Sequence, residues 1–187
     1  MIRRQSVENV NIEGSQAVEG AARDAALADF VGDHYERLLR LARLVCRDAP
    51  DAADAVQIGL EQAWRRRSSL RDDARLRPWL DRIIVREAIR LSTSRRPWLR
   101  RLFNPDPDAA WIEPLDARSA QLHVWTALRI AFGQLSSEQR AVIALHLHAG
   151  YSVAETADLV GVPIETVRSR LRLAKERLRN KLEEADR

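Results

Sequence analysis

Residues 160–179 read VGVPIETVRSRLRLAKERLR, and the fold turns on how that run divides. Gly161 and Pro163 stand at its entrance, one suited to end a helix and the other to begin the next. Beyond them Ile164, Val167, Leu171, Ala174 and Leu178 recur every three or four residues, the period of a helix with one face turned to a core. Glu165, Arg168, Ser169, Arg172 and Lys175 fall on the opposite side. Immediately upstream, YSVAETADLVG carries Ser152 and Glu155 at the spacing of a capping box and stops at Gly161. A short capped helix, a glycine turn and a longer basic helix make a helix-turn-helix. The second helix of such a unit enters the major groove by its N-terminal half, where arginine can donate two hydrogen bonds to guanine and Ser169 can reach a base or a phosphate.

Further upstream, LSSEQRAVIALHLHAG offers a second capping box at Ser136 and Gln139 and a stop at Gly150, and Leu122, Trp125, Leu128 and Phe132 mark a helix before it. Residues 119–187 therefore read as a four-helix unit. Pro97, Pro105, Pro107 and Pro114 break any helix between them, so residues 97–118 read as a proline-rich linker. On its far side a second unit, residues 26–96, reads as a bundle of three helices. Leu27, Phe30, Val31, His34, Leu38, Leu41 and Val45 form the stripe of the first, which stops near Asp48 and Pro50. The second, DAADAVQIGLEQAWRR, sets Ala53, Val56, Leu60 and Trp64 on one side and Asp51, Asp54, Gln57 and Glu61 along a flank. The third, LRPWLDRIIVREAIRLSTSRR, buries Leu76, Trp79, Leu80, Ile83, Ile84, Ala88 and Leu91 and turns Arg82, Arg86, Arg90, Arg95 and Arg96 outward. Residues 1–25 are polar and without sustained period, a flexible N-terminal extension.

Composition agrees with an all-α chain: 187 residues, 45% hydrophobic and 31% charged, with only seven glycines. The net charge of +4 and the pI of about 9.9 fit a polyanionic partner. The single cysteine, Cys46, sits in the helical pattern LARLVC and reads as a buried, reduced thiol, which places the chain in the cytoplasm. No apolar run approaches the ~18 residues needed to span a bilayer, so no membrane insertion is expected. His146 and His148 point to different faces of a helix. No Ser/His/Asp order, metal-ligand pattern or glycine-rich phosphate loop appears, so neither catalysis, a metal nor a cofactor is expected.

The run YSVAETADLVGVPIETVRSRLRLAKERLR closely resembles the region-4 domain of bacterial sigma factors, particularly the extracytoplasmic-function (group IV) members of the sigma-70 family. LSSEQRAVIALHLHAG is similar to that domain's lead-in. DAADAVQIGLEQAWRR resembles the core-binding helix of sigma region 2, and LRPWLDRIIVREAIRL its tryptophan-centred promoter-melting helix. The resemblance covers about residues 26–184, with both halves in order around a proline-broken linker.

It implies a transcription initiation factor that directs RNA polymerase to specific promoters and promotes opening of the minus 10 element. Region 2 would dock on the clamp helices of the polymerase largest subunit through Asp51, Asp54, Gln57 and Glu61. The loop from Ser68 to Arg77, with Ser68, Ser69 and Arg71, would pocket an extruded base, while Arg82, Arg86 and Arg90 track phosphates of the opened strand. Trp79 belongs to the burying stripe and is assigned to the core. Region 4 would contact the second-largest-subunit flap and read the minus 35 duplex through Arg168, Ser169 and Arg172, with Thr166 and Lys175 beside them. Trp98, Arg100, Arg101 and Phe103 of the linker would follow the RNA exit path. An anti-sigma factor that clamps both units is a further expected partner. The competing reading is a helix-turn-helix regulator with a helical sensor or dimerisation domain, which would bind a palindromic site without polymerase.

Overall fold

The protein is described by a computed structural model over residues 3–70, 72–94 and 119–185. Arg71, Arg95, Arg96 and the linker expected at 97–118, including Trp98, Arg100, Arg101 and Phe103, lie outside the described residues. Helix α1 spans Arg3–Cys46, α2 Ala49–Arg66 and α3 Leu76–Ser94, with two short 3-10 turns, Arg67–Ser69 and Asp73–Arg75, before α3. Then come α4 Ser119–Gly133, α5 Ser137–Ile143 with a π-helical turn Ala144–His148, α6 Val153–Val160 and α7 Ile164–Ala185. The described residues contain no strand.

The stop at Asp48 is built from two adjoining devices. Arg47 leaves α1 in the left-handed region at φ 73°, and the Asp48 carboxylate accepts the backbone N–H of Asp51 at 2.7 Å to cap α2. Pro50 falls in the first turn of α2, where a missing N–H leaves no bond unmade. The other end of α1 departs from expectation. Residues 3–25, read from the sequence as a tail without regular structure, belong to the same helix, and Asp24 is paired with Arg67.

Helices α1–α3 enclose Leu38, Leu41, Val45, Val56, Leu80 and Ile84. The buried stripe of α2 is Ala52, Ala55, Val56, Gly59 and Ala63, shifted from the one expected: Ala53 and Trp64 are exposed. Small residues win that face because α3 lies close. A Cβ on Gly59 would stand 2.5 Å from Ile84 Cδ1, which leaves no room for an indole there. The second core, between α4–α7, holds Phe132, Leu135, Val142, Ile143, Val167, Leu171 and Ala174. Trp125 and Ile164, expected to face it, are exposed.

The two bundles are packed together. Ala141, Ala144, Leu145 and Leu159 join the core of α1–α3, and Arg140, itself buried, donates to the Val45 carbonyl from Nε at 2.9 Å and Nη2 at 2.6 Å. Val45 is in the last turn of α1, where carbonyls lack helical partners, and the guanidinium from α5 satisfies this one.

Cys46 lies on the same seam. Burial pushes its thiol up to about 12, with the Asp51 and Asp48 carboxylates adding to the effect and the Ser92 and Arg140 contacts opposing it. At pH 8 the native chain should therefore react with a disulfide reagent such as Ellman's far more slowly than the chain in denaturant, since both the thiolate and access to it are suppressed. Equal rates in the two conditions would show that the α1–α3 core is open.

Candidate nucleic-acid interface

Both capping boxes form as the sequence requires. Ser136 Oγ accepts from the Gln139 N–H while the Gln139 side chain accepts from the Ser136 N–H, and Ser152 and Glu155 do the same at α6. Glu155 is held below the usual carboxylate range by its bonds to Ser152. Helix α6 ends on Gly161 at φ 77°, ψ 42°, with the N–H groups of Gly161 and Val162 returning to the Ala157 carbonyl at 2.8 and 3.2 Å. Pro163 precedes α7, and its carbonyl accepts the first N–H groups of that helix, from Thr166 at 2.9 Å and Val167 at 3.3 Å. Together these contacts set the angle of α7 on α6.

Val167, Leu171 and Ala174 anchor α7 in the second core. Opposite them Glu165, Arg168, Ser169, Arg172 and Lys175 are exposed, and Thr166 is half-buried at the margin. Two carboxylates shape this face: Glu165 Oε1 accepts from Arg168 Nη1 at 2.5 Å, and Glu176 Oε2 lies 3.6 Å from Arg172 Nη1. Both pairs are solvent-exposed and contribute little to stability, so either arginine can leave its partner for a base edge or a phosphate.

On α3, Arg82, Arg86 and Arg90 stand four residues apart and exposed, a spacing that lines them along one face. Arg90 is fixed by the nearly buried Glu87, whose other oxygen accepts from Gln62 at 2.7 Å. Arg86 Nε donates to the Leu159 carbonyl at 3.1 Å, so it reaches across to α6 rather than lying along its own helix. Partial burial, then the neighbouring Arg82, lowers its pKa. Ser68 and Ser69 are exposed on the 3-10 turn, with Ser69 Oγ donating to the Arg66 carbonyl at 2.7 Å. The half-buried Trp79 packs on the core, as expected.

The acidic flank of α2 is only partly a surface. Gln57 and Glu61 are exposed and Asp54 is half-buried, but Asp51, expected among the docking groups, is 0% exposed. It lies in the first turn of α2, where a negative charge suits the helix dipole, and it is buried there. In its stead Trp64, 46% exposed, extends the surface of Gln57 and Glu61, with the Arg67 guanidinium 4.9 Å from its ring centroid. The periodicity assigned this indole to the core, and no local signal contradicted it.

The geometry, two helical units of which one is a helix-turn-helix and the other carries an arginine row, agrees with known families. Residues 30–97 match the model of Sigma-70 region 2, and residues 126–178 that of Sigma-70, region 4. The ECF RNA polymerase sigma factor SigM of Mycobacterium tuberculosis is 36% identical over 146 residues, 78% of this chain and 71% of that protein. The chain belongs to the extracytoplasmic-function sigma factors of the sigma-70 family. SigL of the same organism is 32% identical over 171 residues, 88% of this sigma factor and 93% of the relative. Among solved structures, CnrH in complex with the cytosolic domain of CnrY is similar at TM-score 0.58 and 27% identity, covering 92% of this sigma factor and 96% of that chain. The sigma factor RpoE of Bartonella quintana, in complex with the anti-sigma factor NepR, is similar at TM-score 0.54 and 28% identity, covering 83% and 97%. No helix among the described residues of this sigma factor is long and apolar enough to cross a membrane.

Gly161 is the residue on which the turn between α6 and α7 depends. Gly161→Ala forces a left-handed conformation on an L side chain, at a cost of about 1–2 kcal/mol. Urea unfolding followed by circular dichroism should show that loss, whereas Ala154→Gly on the exposed face of α6 should cost no more than about 1 kcal/mol.

Proposed function

We propose that this sigma factor brings polymerase to its promoters in the cytoplasm by a division of labour between its two units, without catalysis of its own. The observation that carries this reading is a pair of basic faces in one chain: the row Arg82, Arg86 and Arg90 on α3, and the groove-sized face of Arg168, Ser169 and Arg172 on α7. Helix α7 reads the minus 35 duplex, with Arg168 and Arg172 donating to base edges, Ser169 reaching a base or phosphate, and Thr166 and Lys175 on the backbone. Unit α1–α3 captures the opened minus 10 strand, with Ser68, Ser69 and Arg71 around an extruded base and the arginine row along the phosphates. Duplex and strand thus demand different tools, one of fixed donors at groove width and one of spaced charges.

Core polymerase docks on α2 through Gln57, Glu61 and Trp64, with Asp54 at the edge, and its clamp helices and flap are the partners this reading assigns. An indole beside a carboxylate and an amide is the composition of an interface anchor. Regulation by an anti-sigma factor is supported by the similar chains CnrH and RpoE, solved with the cytosolic domain of CnrY and with the anti-sigma factor NepR.

Run-off transcription with core polymerase on genomic fragments tests the whole reading and defines the promoter, and no defined start site would overturn it. On that promoter, Arg168→Ala or Arg172→Ala should weaken upstream binding by about 1–3 kcal/mol and relax preference at one base pair each. Arg82→Ala should instead weaken all sequences alike and reduce the salt slope by about 1. Trp64→Ala should lower affinity for core polymerase while leaving helicity unchanged, as measured by co-sedimentation and circular dichroism.

A further inference from the structure

The segment between α2 and α3 is held at its start by one face of α1. Among the described side chains from Arg67 to Leu76, only Leu70 and Leu76 are buried. Both join Leu27 of α1 in a small apolar cluster, against which Phe30, Val31 and Trp79 also pack, so the segment is tied to the main core of α1–α3. Arg67 is the polar anchor. Its side chain pairs with Asp24 of α1 through Nε, donates from Nη1 to the Trp64 carbonyl at 2.9 Å, and lies over the Trp64 ring.

Asp24 and Leu27 are three residues apart on α1 and therefore share a face. Their partners Arg67 and Leu70 are three apart as well, and the Leu70 N–H donates to the Arg67 carbonyl at 3.1 Å. Ser68 and Ser69, both exposed, are the two residues between those anchors. Ser69 Oγ donates to the Arg66 carbonyl at 2.7 Å, which fixes that hydroxyl within the turn. A hydroxyl selects a base only when its backbone is held to within about 0.5 Å, and a single exposed turn has no core of its own to hold it. Here α1 supplies that support.

Resting on the reading of Ser68 and Ser69 as part of the minus 10 pocket, we infer that Asp24 and Leu27 are positioning residues for base selection: they hold Arg67 and Leu70 so that the two serines stand at a fixed place beside the extruded base. Neither touches DNA. The fraction of molecules with the pocket in place sets how strongly the correct base is preferred. Loosening either anchor therefore lowers that preference and leaves the hold of the arginine row on phosphates as it was.

Leu27→Ala and Asp24→Asn test this in the full chain reconstituted with core polymerase, on the promoter that run-off transcription defines. Fluorescence anisotropy is read with single-stranded minus 10 oligonucleotides carrying each base, or none, at each position in turn. Leu27→Ala should reduce the preference for the best base at the extruded position about tenfold, and Asp24→Asn, which loses a partly exposed ion pair, about twofold to threefold. The strand lacking that base should bind parent and variants alike, since the arginine row alone holds it. Leu27→Met, which restores the lost volume, should recover most of the preference. Hydrogen exchange in the free full chain should be faster over residues 67–70 in Leu27→Ala, with α7 unchanged. An undiminished base preference in Leu27→Ala, or an equal loss of binding to the abasic strand, overturns the positioning role. Failure of the pocket reading looks different: Ser68→Ala and Ser69→Ala then leave the base preference of the parent intact, while exchange over residues 67–70 still reports whether α1 holds the turn.

Discussion

A single buried carboxylate ties this molecule together. Asp81 is fully enclosed, and an enclosed charge is tolerated only with partners that replace water. Arg37 supplies a two-pronged grip from α1, and Tyr151 a hydroxyl from the turn before α6. Three elements far apart in sequence are thereby referred to one point. Removing the guanidinium would leave the buried carboxylate with only the Tyr151 hydroxyl and the more distant Arg77 at 4.0 Å, so the Arg37 pair strongly specifies the angle between α1 and α3. The Tyr151 bond is neutral on one side and weaker than the Arg37 pair.

The same asymmetry runs through the whole seam. Within each bundle the contacts are leucine, isoleucine and valine side chains that have no better place to go. Across it, the polar contacts are mainly arginines on carbonyl oxygens: Arg77 on Ala149, Arg86 on Leu159, Arg140 on Val45. Arg140 is buried, whereas Arg77 and Arg86 are exposed.

What could be read in advance tracks the range of the forces involved. Capping boxes at Ser136 and Ser152, the turn at Gly161 and the position of Pro163 involve residues three or four apart, and each formed where the spacing put it. The exposed face of α7 was legible for the same reason. Helix α2 was misread at Ala53, Trp64 and Asp51, because its stripe is chosen by the closeness of α3 at Gly59 rather than by hydrophobicity alone. Residues 3–25 carry no apolar period, yet continue α1 as helix, with Arg67 on Asp24 as a long-range tie that no local pattern announces.

The amino-acid order by itself determined an all-helical chain, two bundles, a helix-turn-helix with its basic face, and an arginine row on α3, since all of these follow from periods and caps within a few turns of backbone. Only the tertiary structure decided that Asp51 is hidden and Trp64 shown, that Asp81 is the common anchor, and that Arg77 and Arg86 serve the seam between the bundles. Those outcomes depend on which surfaces meet at a distance of tens of residues, where packing and desolvation act on groups that sequence spacing does not place together.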